Sequence, residues 1–307
     1  MVVPQLPEAE DAQEPLPRSS PLQPQAATAA ASVFEHQIGG HPGTVLALPN
    51  GLLAKVCAQP EIDFYTAVFA SSRPDLVSFR ALMPRFAGTG PTPSSSAGEG
   101  KVAAVSRTIH LENILEPYTN ASAADIKIGT RLYGYDASPE KRRHMEQQAA
   151  ETTSLATGLR ICGMKVHDPA SNTFLTHGKP FGRNLTAETL HHGIRTFLSR
   201  PSTGEMIPQP AIRALHAELH RVYDVLKSAA VRLWGASLLV VYEWADGAES
   251  GRVDVKIIDF AHSVVVDAEE GGDEGAVFGV GNLLTIVGDL LEGHNTENAN
   301  GILAEIV

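Results

Sequence analysis

Three stretches of the chain set charged residues inside apolar surroundings. Asp125-Ile126-Lys127-Ile128-Gly129 places an acid and a base two residues apart, hence on one side of an extended segment. Such a pair could cross-link as an ion pair, or offer a carboxylate to ribose hydroxyls beside an ammonium for phosphate. Asp259 closes an apolar run between Ile258 and Phe260, where a carboxylate needs a compensating partner. Capping the following turn is one answer. Magnesium is another, since that ion is held by one or two carboxylates together with substrate phosphates. Lys55 sits among apolar residues, with Glu61 close behind. The lysine could snorkel to solvent, or pair with Glu61 and meet phosphates. Glu61 could equally serve the dipole of a helix first turn. Taken together, these are the groups phosphoryl transfer asks for: a cation on nucleotide phosphates, a carboxylate for magnesium and a positioned acceptor hydroxyl.

Elements that could position these residues follow from pattern. Apolar runs at 44–48 and 52–56 flank Pro49-Asn50-Gly51, a hairpin signal that puts Lys55 on the second strand. Pro60 suits the first turn of a helix over 61–69. Glycine, proline, serine and threonine dominate 88–100, which predicts a loop, with a strand returning over 102–111. Ser138-Pro139-Glu140 predicts an N-cap and a polar helix to about residue 151. A strand over 159–166 comes next, then a long helix over 210–231 in which Ile212, Leu215, Leu219, Val222 and Leu226 recur at helical spacing. Strands over 237–244 and 252–260 form a hairpin through Asp246-Gly247. The acidic segment 267–275 predicts a solvated insertion, and 279–291 a buried helix. This order implies an α+β, two-lobed kinase-like fold. An antiparallel sheet forms the N-terminal lobe (32–115), a larger mixed α/β lobe follows (116–307), and the hinge lies near 111–118.

Composition bounds the reading. Residues 1–31 hold six prolines, four acids and one arginine, a tail too polar to offset its ordering entropy. No run approaches the roughly 18 apolar residues of a membrane span. Two cysteines, Cys57 and Cys162, make neither a disulfide framework nor a four-thiolate zinc site, and a reducing cytoplasmic or nuclear compartment fits them. A net charge of −11 argues against a nucleic-acid partner, while leaving room for a local basic pocket built from Lys127, Arg131, Lys141, Arg142, Arg143, Arg160 and Lys165. His216 and His220 are four apart on a helix, but no glutamate directly follows the first, as a zinc protease motif requires. Gly39-Gly40-His41-Pro42-Gly43 lacks the lysine of a Walker loop; it could cover a nucleotide or simply turn the chain.

Asp125-Ile126-Lys127-Ile128-Gly129, Ser237-Leu238-Leu239 and Ile258-Asp259-Phe260, in that order, resemble the three signature motifs of the inositol polyphosphate kinase family. Flanking residues agree: His36-Gln37, Gly40-His41, Glu61 with Phe64-Tyr65, Arg160-Ile161-Cys162-Gly163-Met164 and Ala261-His262. The resemblance runs from about Phe34 to Leu291. It implies an ATP- and Mg2+-dependent kinase, monomeric, acting on soluble inositol tris- and tetrakisphosphate. Lys55 would meet ATP phosphates with Glu61 behind it, and Glu112 and Ile114 would meet adenine through backbone groups. Asp125 would hold ribose, Lys127 would bridge substrate and transferring phosphate, and Asp259 would hold the metal. Lys141, Arg142 and His262 would face the inositol phosphates. Glu151-Thr152-Thr153-Ser154 and the short length are nearest the multikinase branch; a hexakisphosphate kinase and a non-catalytic scaffold of the same fold are the rival expectations. The chain departs from the pattern at Ala121, where the first motif usually opens with proline, and at Gln148, where a second basic residue is common.

Overall fold

The computed structural model describes residues 31–34, 37–38, 43–91, 107–244 and 251–293. The expected tail up to residue 30, the glycine-rich turn at 39–42, the Asp246-Gly247 turn and residues 92–106 lie outside the described residues.

Five antiparallel strands make the first sheet: β1 (Ser32–Val33), β2 (Val45–Ala47), β3 (Leu52–Cys57), β4 (Phe86–Pro91) and β5 (Arg107–Glu112), in spatial order β1-β2-β3-β5-β4. The β2–β3 hairpin turns at Gly51, whose φ of +79° suits a residue without Cβ. Between β3 and β4 lie α1 (Gln59–Ala70), with proline in its first turn, and α2 (Pro74–Arg80). The predicted loop at 88–100 is corrected at its start, since residues 88–91 belong to β4. Gly90 earns its place in a strand by leaving room: a Cβ there would stand 2.6 Å from the His110 imidazole.

A connector over 113–121 leads to the second sheet. It is held by Tyr118 Oη donating to Asp254 (2.6 Å) and by the Thr119 and Asn120 amides donating to Glu243 (3.0 and 2.6 Å). Next come β6 (Ser122–Ile128), α3 (Pro139–Ala150), α4 (Thr153–Thr157), β7 (Leu159–Asp168) and β8 (Thr173–His177). After them lie α5 (Lys179–Arg183), α6 (Leu190–Phe197), α7 (Gln209–Ser228), β9 (Val231–Leu233), β10 (Ser237–Glu243), β11 (Arg252–Ile258), β12 (Ser263–Val265) and α8 (Glu274–Glu292). The second sheet is antiparallel, with order β11-β10-β6-β7-β8, and β9 pairs separately with β12.

Two expectations shift at their ends. The long helix stops at Ser228 rather than 231, because Val231 pairs with Val265 across β9 and β12. The acidic segment is only partly solvated. Asp273 is buried, accepting from Ala276 N (2.8 Å) and Leu233 N (2.9 Å), and so caps a helix that begins five residues earlier than the pattern suggested. Helix α8 is long and apolar enough to cross a membrane by length and composition; here Val280, Leu283 and Val287 are buried in the core it shares with α7. Gly279 explains its glycine content in part, since a Cβ there would stand 2.2 Å from the Gly158 carbonyl oxygen.

One apolar core runs through both halves of this two-lobed α+β fold. Phe260 stacks on Phe64 at 4.9 Å and meets Tyr65 and Phe79 edge-on at 5.3 and 6.2 Å. Helices α1 and α2 therefore pack on Phe260, just beyond the end of β11. The Ile257 amide donates to Leu82 O at 2.8 Å, which ties β11 to the same corner.

Candidate active site

Lys55 lies in β3, opposite Val45 on one side and Ile109 on the other. Its Nζ sits 2.7 Å from Glu61 Oε1, on the next element, and 2.6 Å from Asp259 Oδ1, 204 residues away in sequence. Asp259 adopts φ +66° directly after β11, a conformation Asp tolerates better than most side chains. That turn lets the next amide, Phe260 N, donate to Glu61 Oε1 at 3.0 Å. Glu61 thus accepts from both the lysine and the backbone, which accounts for a carboxylate only 2% exposed. Burial pulls the Lys55 ammonium down, yet Asp259 and Glu61 outweigh it and hold its pKa above the ordinary value. Burial likewise pushes Asp259 up, and the Lys55 charge reverses the sign and holds it low.

Across the second sheet the charges are less settled. Asp125 is buried in β6, and desolvation, then the Asp259 charge, raise its pKa. Its Oδ1 is buried with no hydrogen-bond partner. Lys127, two residues on, donates to the Gly235 carbonyl. Lys127 is the register partner of Ser237 on β10 and of Arg160 on β7. Ser237 Oγ and Arg160 Nη1 are also buried without partners.

Two cavities meet at these residues. One, of about 160 Å³, is largely apolar, lined by Val45, Leu53, Leu111 and Ile114 among others, and by Lys55. The second, of about 250 Å³, is lined by Lys127, Gln148, Arg160, Lys179 and Arg183. Asp125 and Asp259 line both. Among the described residues no group of three His, Cys, Asp or Glu side chains could hold a metal by itself. Asp259 with one oxygen on Lys55 suits an ion that takes most of its ligands from phosphates and water.

The other expected residues fall into place unevenly. Glu112 and Ile114 line the apolar cavity, but the Glu112 amide is committed to Arg85 O at 3.0 Å and its carboxylate to Arg85 N at 3.1 Å. Lys141 Nζ lies 3.3 Å from His262 Nε2, with burial and then the Lys141 charge depressing the His262 pKa. Ser138 caps α3 through the Lys141 amide at 3.2 Å. Like Lys141 and His262, Arg142 is not among the residues lining the 250 Å³ cavity; it donates to Ala137 O (3.0 Å) and Tyr135 O (2.9 Å), bracing the loop before α3. Lys179 and Arg183 line this cavity and are not among the residues expected from sequence. They are four apart on α5, a same-face spacing that could have flagged them. Gly182 sets α5 against β7, since a Cβ there would stand 1.8 Å from Ile161 O.

Residues 108–288 match the family profile described as inositol polyphosphate kinase, and this stretch contains all three motifs. The chain belongs to the inositol polyphosphate kinase family. It is 34% identical over 209 residues to inositol hexakisphosphate kinase 3 of Mus musculus, a match covering 61% of this chain and 52% of that protein. To the inositol polyphosphate multikinase of Schizosaccharomyces pombe it is 26% identical over 243 residues, covering 75% of this chain and 88% of the relative. The fold is similar to that of the inositol phosphate multikinase Ipk2 of S. cerevisiae, solved in complex with ADP and Mn2+. There the TM-score is 0.63 at 25% identity, over 78% of this chain and 99% of that one. The chain spans about half the length of the hexakisphosphate kinases it matches.

Proposed function

We propose that the protein is an ATP-dependent kinase of soluble inositol polyphosphates, acting on inositol tris- and tetrakisphosphate in the manner of a multikinase. The observation that carries this reading is the meeting of an apolar and a cationic cavity at Asp125 and Asp259, with Lys127 lining the cationic one. Adenine and ribose fit the first, and a polyphosphorylated ring fits the second. Family membership and the ADP- and Mn2+-bound relative support a nucleotide- and metal-dependent kinase.

In this reading 32–115 is the ATP-binding lobe and 116–307 the inositol phosphate-binding and catalytic lobe, from which Asp125 and Asp259 also reach the nucleotide cavity. Lys55, held by Glu61 and Asp259, meets the nucleotide phosphates. Asp125, with its unpartnered Oδ1, takes ribose hydroxyls, and Ile114 flanks adenine at the connector. With the Glu112 amide bonded to Arg85, a Glu112 contact to adenine has to come through another group. Asp259 would hold magnesium, which would supply positive charge beside the transferring phosphoryl group. Lys127 contacts that group from the substrate side, where charge grows in the transition state. Lys141, His262, Lys179 and Arg183 orient the inositol phosphates, with Arg142 bracing the loop beneath Lys141. Catalysis then rests on positioning and electrostatics. The unpaired cysteines suit an intracellular setting, cytoplasmic or nuclear, and nothing in the reading calls for more than one subunit.

The deciding assay is purified protein with ATP, magnesium and inositol 1,4,5-trisphosphate, followed by separation of products by position. Phosphorylated trisphosphate with Lys127→Ala and Asp259→Ala inactive is the expected result. Turnover that survives both substitutions would overturn the mechanism. Similarity to hexakisphosphate kinases at 34% identity favours one second reading: diphosphorylated product from hexakisphosphate in a parallel reaction would establish it. No product from any substrate would leave a scaffold of the same fold.

A further inference from the structure

We infer that Arg160 is a phosphate-binding residue of the inositol polyphosphate site, its guanidinium facing the same phosphate region as Lys127. The inference rests on the kinase reading and adds a residue to it.

Lys127 on β6 lies directly opposite Ser237 on β10 and Arg160 on β7, so the three side chains share one face of the sheet. That face floors the 250 Å³ cavity, which Arg160 lines together with Lys127, Lys179 and Arg183. Lys179 and Arg183 are exposed, as a helix rim usually is, but Arg160 is only 8% exposed. Its Nη1 is buried with no hydrogen-bond partner, and it makes no ion pair among the described residues.

A buried guanidinium with an unused donor is costly unless something compensates it. If Arg160 served only to brace β7, carbonyl or carboxylate acceptors should surround it. Two arginines of this chain show what bracing looks like. Arg232 donates to the carbonyls of Val231, Gly271 and Glu270 and pairs with Glu270 at 3.2 Å. Arg142 caps two loop carbonyls. Arg160 has no such set around Nη1, and the cavity it lines carries three more cations. An anion with several oxygens answers the arrangement, and a guanidinium fork matches a phosphate better than an ammonium does.

The test is steady-state kinetics of Arg160→Met and Arg160→Lys with inositol 1,4,5-trisphosphate and with ATP. Losing a charge-assisted hydrogen bond should raise KM for the inositol phosphate about ten- to a hundredfold in R160M. R160K should recover part of that loss, with KM for ATP and the melting temperature near wild type. If R160M does not fold, R160K alone decides, read by calorimetry: weaker trisphosphate binding at unchanged binding of ADP with magnesium supports the inference. Wild-type KM for the inositol phosphate in both folded variants overturns it, as does a loss of ATP affinity equal to the loss of inositol phosphate affinity. A wild-type protein that turns over no inositol phosphate would instead defeat the kinase reading itself, so the two failures remain distinct.

Discussion

The two sides of the candidate site treat charge in opposite ways. Around the Lys55 ammonium, Lys55, Glu61 and Asp259 satisfy one another within 2.7 Å, and the Phe260 amide also donates to Glu61. Along β6, β7 and β10 of the second sheet, by contrast, Asp125 Oδ1, Arg160 Nη1 and Ser237 Oγ are buried without partners. The first arrangement is a structural joint as well as a binding group, because it ties β3, α1 and the end of β11 together. The second holds little of the fold together and leaves its polar atoms for a ligand. Charge that is paired before a ligand arrives should matter to stability, whereas unpaired charge should matter to affinity.

The sharpest break in this comparison would come from activity. Lys127→Ala and Asp259→Ala should each lower turnover by about two to three orders of magnitude, the range for losing a group aimed at developing charge. Product assays at saturating ATP read this directly. Stability separates the sides next. Lys55→Met leaves Glu61 buried beside an unpaired Asp259, and should cost about 3–5 kcal/mol in chemical denaturation. Lys179→Ala and Arg183→Ala, on the exposed rim, should melt like wild type and raise KM for the inositol phosphate roughly tenfold each. If the rim variants unfold and Lys55→Met does not, the contrast is wrong.

A subtler difference lies between two aspartates. Asp259 has its pKa lowered, so its stabilisation is present above the usual carboxylate range and is lost as pH falls through the lower folded value. Asp125 has its pKa raised, so its contribution is present at acid pH and is lost as pH rises through the higher folded value. At pH 7.5, therefore, Asp259→Asn should melt below wild type and Asp125→Asn above it, with the Asp125→Asn advantage shrinking toward acid. Melting curves across pH would show equal behaviour if burial alone governed both. The smallest effect belongs to Ser138→Ala, which removes the cap of α3 and should cost about 1 kcal/mol. Because Lys141 follows that cap, a small rise in KM for the inositol phosphate should accompany it.

Much of this protein could be read from its residues in order. The Asn50-Gly51 hairpin, the proline-started α1, the Ser138 cap and the periodicity of α7 are local matters, decided by backbone preference and apolar spacing within a few residues. The three motifs likewise named a family, since each is a short run whose order survives in the chain. Other features were decided by tertiary structure. Gly90 reads as a loop residue until His110 lies beside it, and Val231 reads as helix until Val265 offers it a ladder. Arg142 and Arg143 are adjacent in sequence, and only the carbonyls of the folded loop show where Arg142 points. Asp125, Lys127 and Arg160 come from two strands, and Lys179 and Arg183 from a helix set down by Gly182. Spacing along a chain says nothing about such a convergence, because it arises from the register of a sheet and from the close packing that brings distant segments together.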